Sequence, residues 1–342
     1  MKKEHSFYYC LFRCLSSNQL IVRKFSFYKS LVSCFMLVTL LVSCSLFTIN
    51  AQSHETLFSQ QVENIRLGGK QNPEALKSSA EKESKELLQT ASKYSNDSVV
   101  EVRRLVYSTY RLILKSQARP SDIKKEVVVK LTAGIEDTDS YIRQLSTGIL
   151  TECTIDDFSE QAKNIFCNIF NKREWFSKEF ILLSGFVGSD ECKETLEYLA
   201  YSPTQAHQRF NWAAYVALAR MGDQNAINWC LSRINSITLN DDVTAMLLPD
   251  LVYTRQYRIY EYLVSVLNSD EELCLSTNPD YEKPIICGYR VMEYLAPVIR
   301  RYPLSLLPSG DIDTRDYNKA LLSVREWFAK QNGKYEIITS TF

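Results

Sequence analysis

The residues with the most chemical scope in this sequence are six cysteines beyond residue 60: Cys153, Cys167, Cys192, Cys230, Cys274 and Cys287. Cys192 and Cys230 fall on apolar helix faces, where a thiol packs as a small hydrophobe. Cys274 and Cys287 bracket a polar insertion, residues 268–285, with 12 residues between them. An oxidising compartment permits a disulfide there; a bridge and two separate thiols both fit the spacing, and the bridge is the expectation, with the other four cysteines unpaired in the core. The chain has three histidines, His5, His54 and His207. His207 follows the polar stretch Ser202-Pro203-Thr204-Gln205 and reads as a surface residue in a first helical turn, because a general base needs an orienting partner and none is indicated. No Cys/His spacing suits zinc, and no Gly-rich phosphate loop or G-x-S-x-G elbow is present. The acidic loop Asp311-Ile312-Asp313-Thr314-Arg315-Asp316 lacks the glycine of a calcium loop at its sixth position. Together with Asp156-Asp157 and Asp241-Asp242, it reads as helix-capping. No catalytic residue, metal site or cofactor is therefore assigned.

Charge locates the chain. The 342 residues carry 40 basic and 40 acidic side chains. Residues 1–51 hold six basic and one acidic, which leaves residues 52–342 with 34 against 39, a net of −5. A mildly acidic body is a poor collector of nucleic acid. The run Leu31–Ile49, 19 residues without a charge, follows Arg23, Lys24 and Lys29. A basic flank before an apolar stretch has the form of an export signal. Three outcomes stay open. Cleavage after Ala51 is favoured, because a small residue there ends the apolar run. Leu41-Val42-Ser43-Cys44 resembles a lipobox with Cys44 as the lipidated residue, although Leu46, Phe47 and Ile49 continue the run past it. An uncleaved anchor also fits the length. All three place residues 52 onward outside the cytoplasm, periplasmic, secreted or tethered, with the membrane touched only through the N-terminal segment.

The elements that position these residues are helices. Glycine numbers 10 in 342, below the usual share of about 7%, and strand-rich folds and loop-built sites consume it. Residues 52–95 read as a polar helical segment, with Asn72-Pro73 as a start signal. From residue 96 the apolar residues Val99, Val102, Leu105, Val106 and Ile113 follow three-and-four spacing. The pattern then recurs. Asp97, Val102, Arg103 and Leu105 are answered 40 residues later by Asp137, Ile142, Arg143 and Leu145. Leu183, Gly188 and Cys192 are answered 34 later by Ala217, Gly222 and Ala226, and Leu218, Ile227 and Leu231 are answered 33 later by Leu251, Tyr260 and Val264. Such quasi-periods, with two helices per unit, predict an all-α solenoid over residues 96–332, because a single pair cannot bury its apolar stripe and stacked pairs do. Residues 333–342 read as a tail.

The stretch Trp212-Ala-Ala-Tyr-Val-Ala-Leu-Ala-Arg-Met-Gly-Asp-Gln-Asn-Ala-Ile227 resembles a HEAT repeat of the short, PBS-lyase-like kind. There an A-L-A-x-L-G-D-x-x-A run closes one helix, turns on Gly-Asp and opens the next. Asp97 to Arg103 and Asp137 to Arg143 resemble the Asp and Arg that link neighbouring repeats. Pro249 and Pro297 resemble the proline that kinks a first helix. The resemblance covers about residues 96–300. It departs from the family in its uneven period, the missing Arg of the third repeat and the insertion at 268–285. It implies a scaffold or binding surface and no reaction.

On the helix from Asn225 to Ile234, Ile227, Cys230, Leu231 and Ile234 share a face and Trp229 points roughly opposite. Tyr262 holds the same place one repeat on. In HEAT-like arrays that face lines a concave groove, so Trp229, Arg258 and Tyr262 are the expected binding patch, bordered by Glu194 and Glu197. The alternative is that Trp229 packs sideways on a neighbouring helix. The reading is a non-enzymatic, extracytoplasmic binding or scaffold protein whose partner is another protein. The runner-up is a helical-toroid enzyme acting on polysaccharide, which needs convergent carboxylates or a His/Tyr pair.

Overall fold

Cap residues set the helix starts. Ser121, Asp139, Ser159, Ser177, Asp223, Asn240 and Asp316 each accept a hydrogen bond from the main-chain N–H three residues on, and each such cap contributes about 1 kcal/mol. Stops are set equally locally. Gly188 and Gly222 end their helices at φ +66° and +88°, a left-handed turn that costs a glycine least. The computed structural model describes residues 57–172, 176–202, 205–276 and 283–342; the lipobox Cys44, the cleavage site after Ala51 and the apolar run 31–49 lie outside them. Among the described residues the chain is mostly helical with almost no sheet, and no helix is long and apolar enough to cross a membrane.

The chain divides after Gln71. In the first unit the described part is a helix over 57–66 (α1), with Arg66 paired to Glu63. The second unit, Asn72–Phe342, holds α2 (Lys77–Lys82), α3 (Ser84–Ser92), α4 (Val100–Ser116), α5 (Asp122–Gly134), α6 (Ser140–Thr151), α7 (Glu160–Asn171), α8 (Lys178–Val187), α9 (Lys193–Tyr201), α10 (Gln205–Arg220), α11 (Gln224–Asn235), α12 (Asp241–Tyr253), α13 (Tyr257–Asn268), α14 (Gly288–Leu295) and α15 (Tyr317–Gln331). A short antiparallel pair, β1 (Cys274–Leu275) and β2 (Pro284–Ile285), lies in the insertion. The helices α2 and α3 and the turn Pro73–Leu76 pack on α4, with Leu76, Leu87, Leu88 and Ala91 buried, so they belong to the same stack as α4.

Contacts obey a simple order. Most consecutive helices touch, and so do α4 with α6, α6 with α8, α8 with α10, α10 with α12 and α12 with α14. The odd-numbered series shows the same in α3 with α5, α5 with α7, α11 with α13 and α13 with α15. Most apolar stripes are thereby covered by the next helix, the next but one, or both. Val102, Leu105, Tyr110, Ile113, Val128, Leu131, Ile142, Phe166, Ile181 and Leu218 are fully buried along this seam, at about 1.5–3 kcal/mol each. Phe166, Phe170, Phe176, Phe180 and Phe210 form a connected set with ring centroids 5.1–6.4 Å apart. Where α8 meets α10, a Cβ on Gly185 would stand 2.6 Å from the Ala217 carbonyl oxygen, so that crossing requires glycine.

Polar links reinforce the α4–α6 step. The Arg103 guanidinium grips Asp137 at 2.9 and 2.8 Å and also donates to the Asp97 carbonyl at 2.8 Å; Arg143, forty residues on, donates to the Asp137 carbonyl at 2.8 Å. Arg104 pairs with Asp139, the cap of α6, and Arg111 with Glu152. Burial pushes the Asp137 carboxyl up. The hydrogen bonds from Arg103 and the Asp139 amide, with the Arg103 charge, overcome that and hold its pKa below the ordinary value.

Cys274 and Cys287 are joined, with Cα atoms 5.1 Å apart, and close the insertion beside the β1–β2 pair. Two other cysteines depart from expectation. Cys167 and Cys192 form a second disulfide, also at 5.1 Å between Cα atoms, because α7 packs on the turn Asp190–Cys192 and the two apolar faces meet. Cys153 and Cys230 are free and buried.

Candidate functional site

The chain from Tyr335 onward does not trail from α15 but turns back as an extended strap across the ends of α14, α12, α10 and α6. Ile337 pairs with Ile299, with the Ile338 N–H donating to the Val298 carbonyl at 2.8 Å, and Thr341 pairs with Thr154, where the Ile155 N–H donates to the Ser340 carbonyl at 2.9 Å. Between these points two arginines hold the strap. Arg220, at the end of α10, donates to the carbonyls of Thr339 and Thr341 at 2.8 and 2.7 Å. Arg255, just past α12, donates to those of Ile338 and Phe342 at 3.0 and 2.9 Å. Arg255 is 7% exposed. Among the described residues neither guanidinium meets a carboxylate side chain, and burial pulls the Arg220 pKa down to about 10. A buried cation of this kind is costly unless its donors are satisfied, and strap carbonyls satisfy four of them. The Phe342 ring then lies 5.8 Å from Phe186 and 5.0 Å from Tyr253.

Phe342 also forms one wall of a groove of about 480 Å³ that runs between α6 and α8. From α6 it takes Ser140, Gln144, Thr147, Gly148 and Thr151, one face of the helix at intervals of three and four. Glu179 and Phe180 of α8 stand opposite, and Ile135 lies at the base. A Cβ on Gly148 would meet nothing within 4 Å. Its volume lies within the usual range for ligand sites, about 300–1,000 Å³. A smaller groove of about 280 Å³ lies between α13 and α15, near Tyr257, Glu261 and Tyr335.

The residues expected to form a binding patch are only partly gathered. Trp229 is half-buried and lies flat on Tyr215 of α10, at 3.7 Å between centroids and 9° between planes, with Trp212 6.0 Å away. Tyr201 packs edge-on to Tyr215 at 5.5 Å, and Trp212 Nε1 donates to Asp250 at 2.6 Å. The sideways alternative is thus the arrangement seen. The reason lies in the helix face: Ala226 is fully buried with Ile227, Cys230 and Ile234, which rotates the core-facing stripe of α11 toward α10. Trp229 moves to its flank, and Leu231, expected in the core, becomes half-buried. The outward position is Asn228, whose Oδ1 accepts from Arg258 at 2.7 Å. Arg258 therefore sits beside the Trp229 turn, exposed. Tyr262 is half-buried, with its phenol pKa raised by that burial, and shares no ring contact with Trp229. Glu197 reaches the cluster's edge: Lys193 lies 3.8 Å from it and 3.5 Å from Asp223, and Glu197 and Asp223 help raise the pKa of Tyr201, after burial. Glu194 is exposed.

Of the acidic residues expected to cap helices, two do so, Asp157 through the capping box with Thr154 and Asp316 at α15, while Asp311 accepts from the Ser309 hydroxyl. Asp157 accepts from the Thr154 N–H at 2.9 Å. Asp241 departs slightly, since Asn240 is the cap of α12 and Asp241 accepts from the Leu275 N–H of β1 at 3.1 Å. His207 falls in the first turn of α10. No cluster of three or more metal-ligating side chains occurs among the described residues.

Sequence reasoning missed the strap arginines and the α6–α8 groove. One signal was available for the groove: an isolated glycine, Gly148, inside an apolar-periodic helix, which asks for a packing or functional reason. Compared with known proteins, the chain matches no family model, no curated protein and no solved structure.

Proposed function

We propose that this chain is an extracytoplasmic, non-enzymatic binding or scaffold protein built as a HEAT-like α-solenoid. The order of contacts supports the solenoid, since most helices touch the next, the next but one, or both, as in a stack of helix pairs. The basic flank and apolar run at residues 23–49 support export, and two disulfides suit an oxidising compartment. The observation that carries binding is the strap. The helix ends already hold an extended polypeptide segment through its main-chain carbonyls, using side chains of Arg220 and Arg255. A surface that grips backbone is suited to protein partners.

Two measurements test this reading. A reporter fused after residue 60 is expected to be active outside the cytoplasm, and activity confined to the cytoplasm overturns export. Purification of the tagged chain from its native envelope is expected to yield a stoichiometric protein partner. Release of reducing ends from envelope polysaccharide by the purified chain, with no partner recovered, overturns the binding reading in favour of catalysis.

A further inference from the structure

We propose that the groove between α6 and α8 receives an extended segment of a partner polypeptide, with an apolar side chain seated on Phe180 and Phe342 and a lysine or arginine beside Glu179. The proposal rests on the binding-module reading and names its site and ligand chemistry. Four observations carry it.

The first is continuity. The chain's own extended strap runs past the end of α6, pairing at Thr154 and Ile155, and its Phe342 becomes a wall of the groove. A second segment entering the groove would extend an interface this fold already makes. The second is the lining. Ser140, Gln144, Thr147 and Thr151 span the 12 residues of α6, about 16 Å over 11 steps of 1.5 Å, a length matched by about five residues of extended chain. The Thr147 and Thr151 hydroxyl protons are already donated to the carbonyls of Arg143 and Gly148. Thr147 is buried, whereas the Thr151 oxygen keeps a lone pair for an incoming N–H group and the exposed Gln144 amide supplies both a donor and an acceptor.

The third is Gly148. Inside a helix a glycine is destabilising relative to alanine, and here neither backbone conformation nor a close neighbour requires it. What it leaves is open floor in the middle of the groove. The fourth is charge. Glu179 is exposed at the rim and forms no ion pair among the described residues, whereas the other ionic group lining the groove, Arg143, is turned onto the carbonyls of Asp137 and Thr138. A basic residue on the ligand complements this rim.

The test uses short random peptides displayed on phage, selected on the intact chain, with the enriched sequences then synthesised. The enriched peptides are expected to place a leucine, isoleucine or aromatic residue beside lysine or arginine. Gly148→Leu, which fills the groove from an open position, should weaken their binding about tenfold or more, while Gly148→Ala leaves it nearly unchanged. Glu179→Gln should weaken it about two- to fivefold. If Gly148→Leu does not fold, Gln144→Trp blocks the same face from an exposed position. No enrichment over the target-free control overturns the proposal. So does enrichment of peptides that bind folded Gly148→Leu or Gln144→Trp as tightly as the parent, an outcome that leaves the chain a binding protein with its site elsewhere.

Discussion

Gly148 and Gly185 offer a matched test of the packing, because they sit near the C-terminal ends of α6 and α8 and meet opposite surroundings. Replacing either by alanine removes the same backbone freedom from the unfolded chain and adds the same methyl group. At Gly148 nothing lies within 4 Å of that methyl, so only the propensity gain remains, about 0.5–1 kcal/mol of added stability. At Gly185 the methyl would stand 2.6 Å from the Ala217 oxygen and 2.7 Å from its Cα. The obstacle is backbone and cannot rotate away, so α8 and α10 must separate. Overpacking of this kind costs about 1–3 kcal/mol, and the upper end applies, leaving Gly185→Ala about 2 kcal/mol less stable after the propensity gain. The two variants should then differ by about 3 kcal/mol, or about 1 M in urea midpoint if m is about 3 kcal/mol/M. Urea unfolding monitored by circular dichroism reads this directly. A Gly148→Ala midpoint below the parent's would refute the open groove, and a Gly185→Ala midpoint at or above it would refute the tight crossing.

Asp137→Ala leaves Arg103 with an unmatched, largely buried charge and should cost about 3 kcal/mol, read as a lowered thermal midpoint at neutral pH. Because the native pKa of Asp137 is depressed, its contribution is complete at neutral pH and fades as pH falls through that native value. Asp137→Asn should therefore flatten the acid limb of a stability profile taken over about pH 2–5, and an unchanged limb would contradict the pairing. Ile234→Ala should cost about 2–5 kcal/mol, and Trp229→Ala a measurable share of that, because its ring is stacked inside the chain; a Trp229→Ala variant as stable as the parent would restore the exposed-patch reading. Removing the Cys167–Cys192 bridge, whose partners are 25 residues apart, should cost about 3.5 kcal/mol in the chain-entropy picture. Mass spectrometry of unreduced peptides checks the linkage, and two free thiols at these positions would rule it out.

The sequence makes the repeated links legible because they are local and periodic. The 40-residue recurrence of Asp97, Arg103, Asp137 and Arg143 corresponds to real hydrogen bonds, and Gly222-Asp223 marks a helix end and the cap of the next helix. What was hidden depends on neighbours. The position of Trp229 turned on Ala226, a small residue whose burial is decided by how close α10 comes. Cys167 and Cys192 both look like core residues, and only the approach of α7 to the turn before α9 pairs them. The strap residues Tyr335-Glu-Ile-Ile-Thr-Ser-Thr-Phe342 carry β-branched character, but their partners are single residues scattered from Thr154 to Ile299, and no periodic signal connects them.

That scatter imposes an order in time. Nearly every helix contact in the second unit joins elements adjacent or next but one in the sequence, and such contacts close short loops and form early. The strap contacts reach back as far as 187 positions, from Thr341 to Thr154, and 185 from Ser340 to Ile155, and none exists until the ribosome has passed α15. A nascent chain therefore emerges as a string of helices lacking its latch, looser than the finished molecule. Under the proposed export, that looseness makes it easier to keep unfolded for passage through a translocation channel. The latch can close only after residues 335–342 have been made, and it joins the helices to one another from α6 to α14.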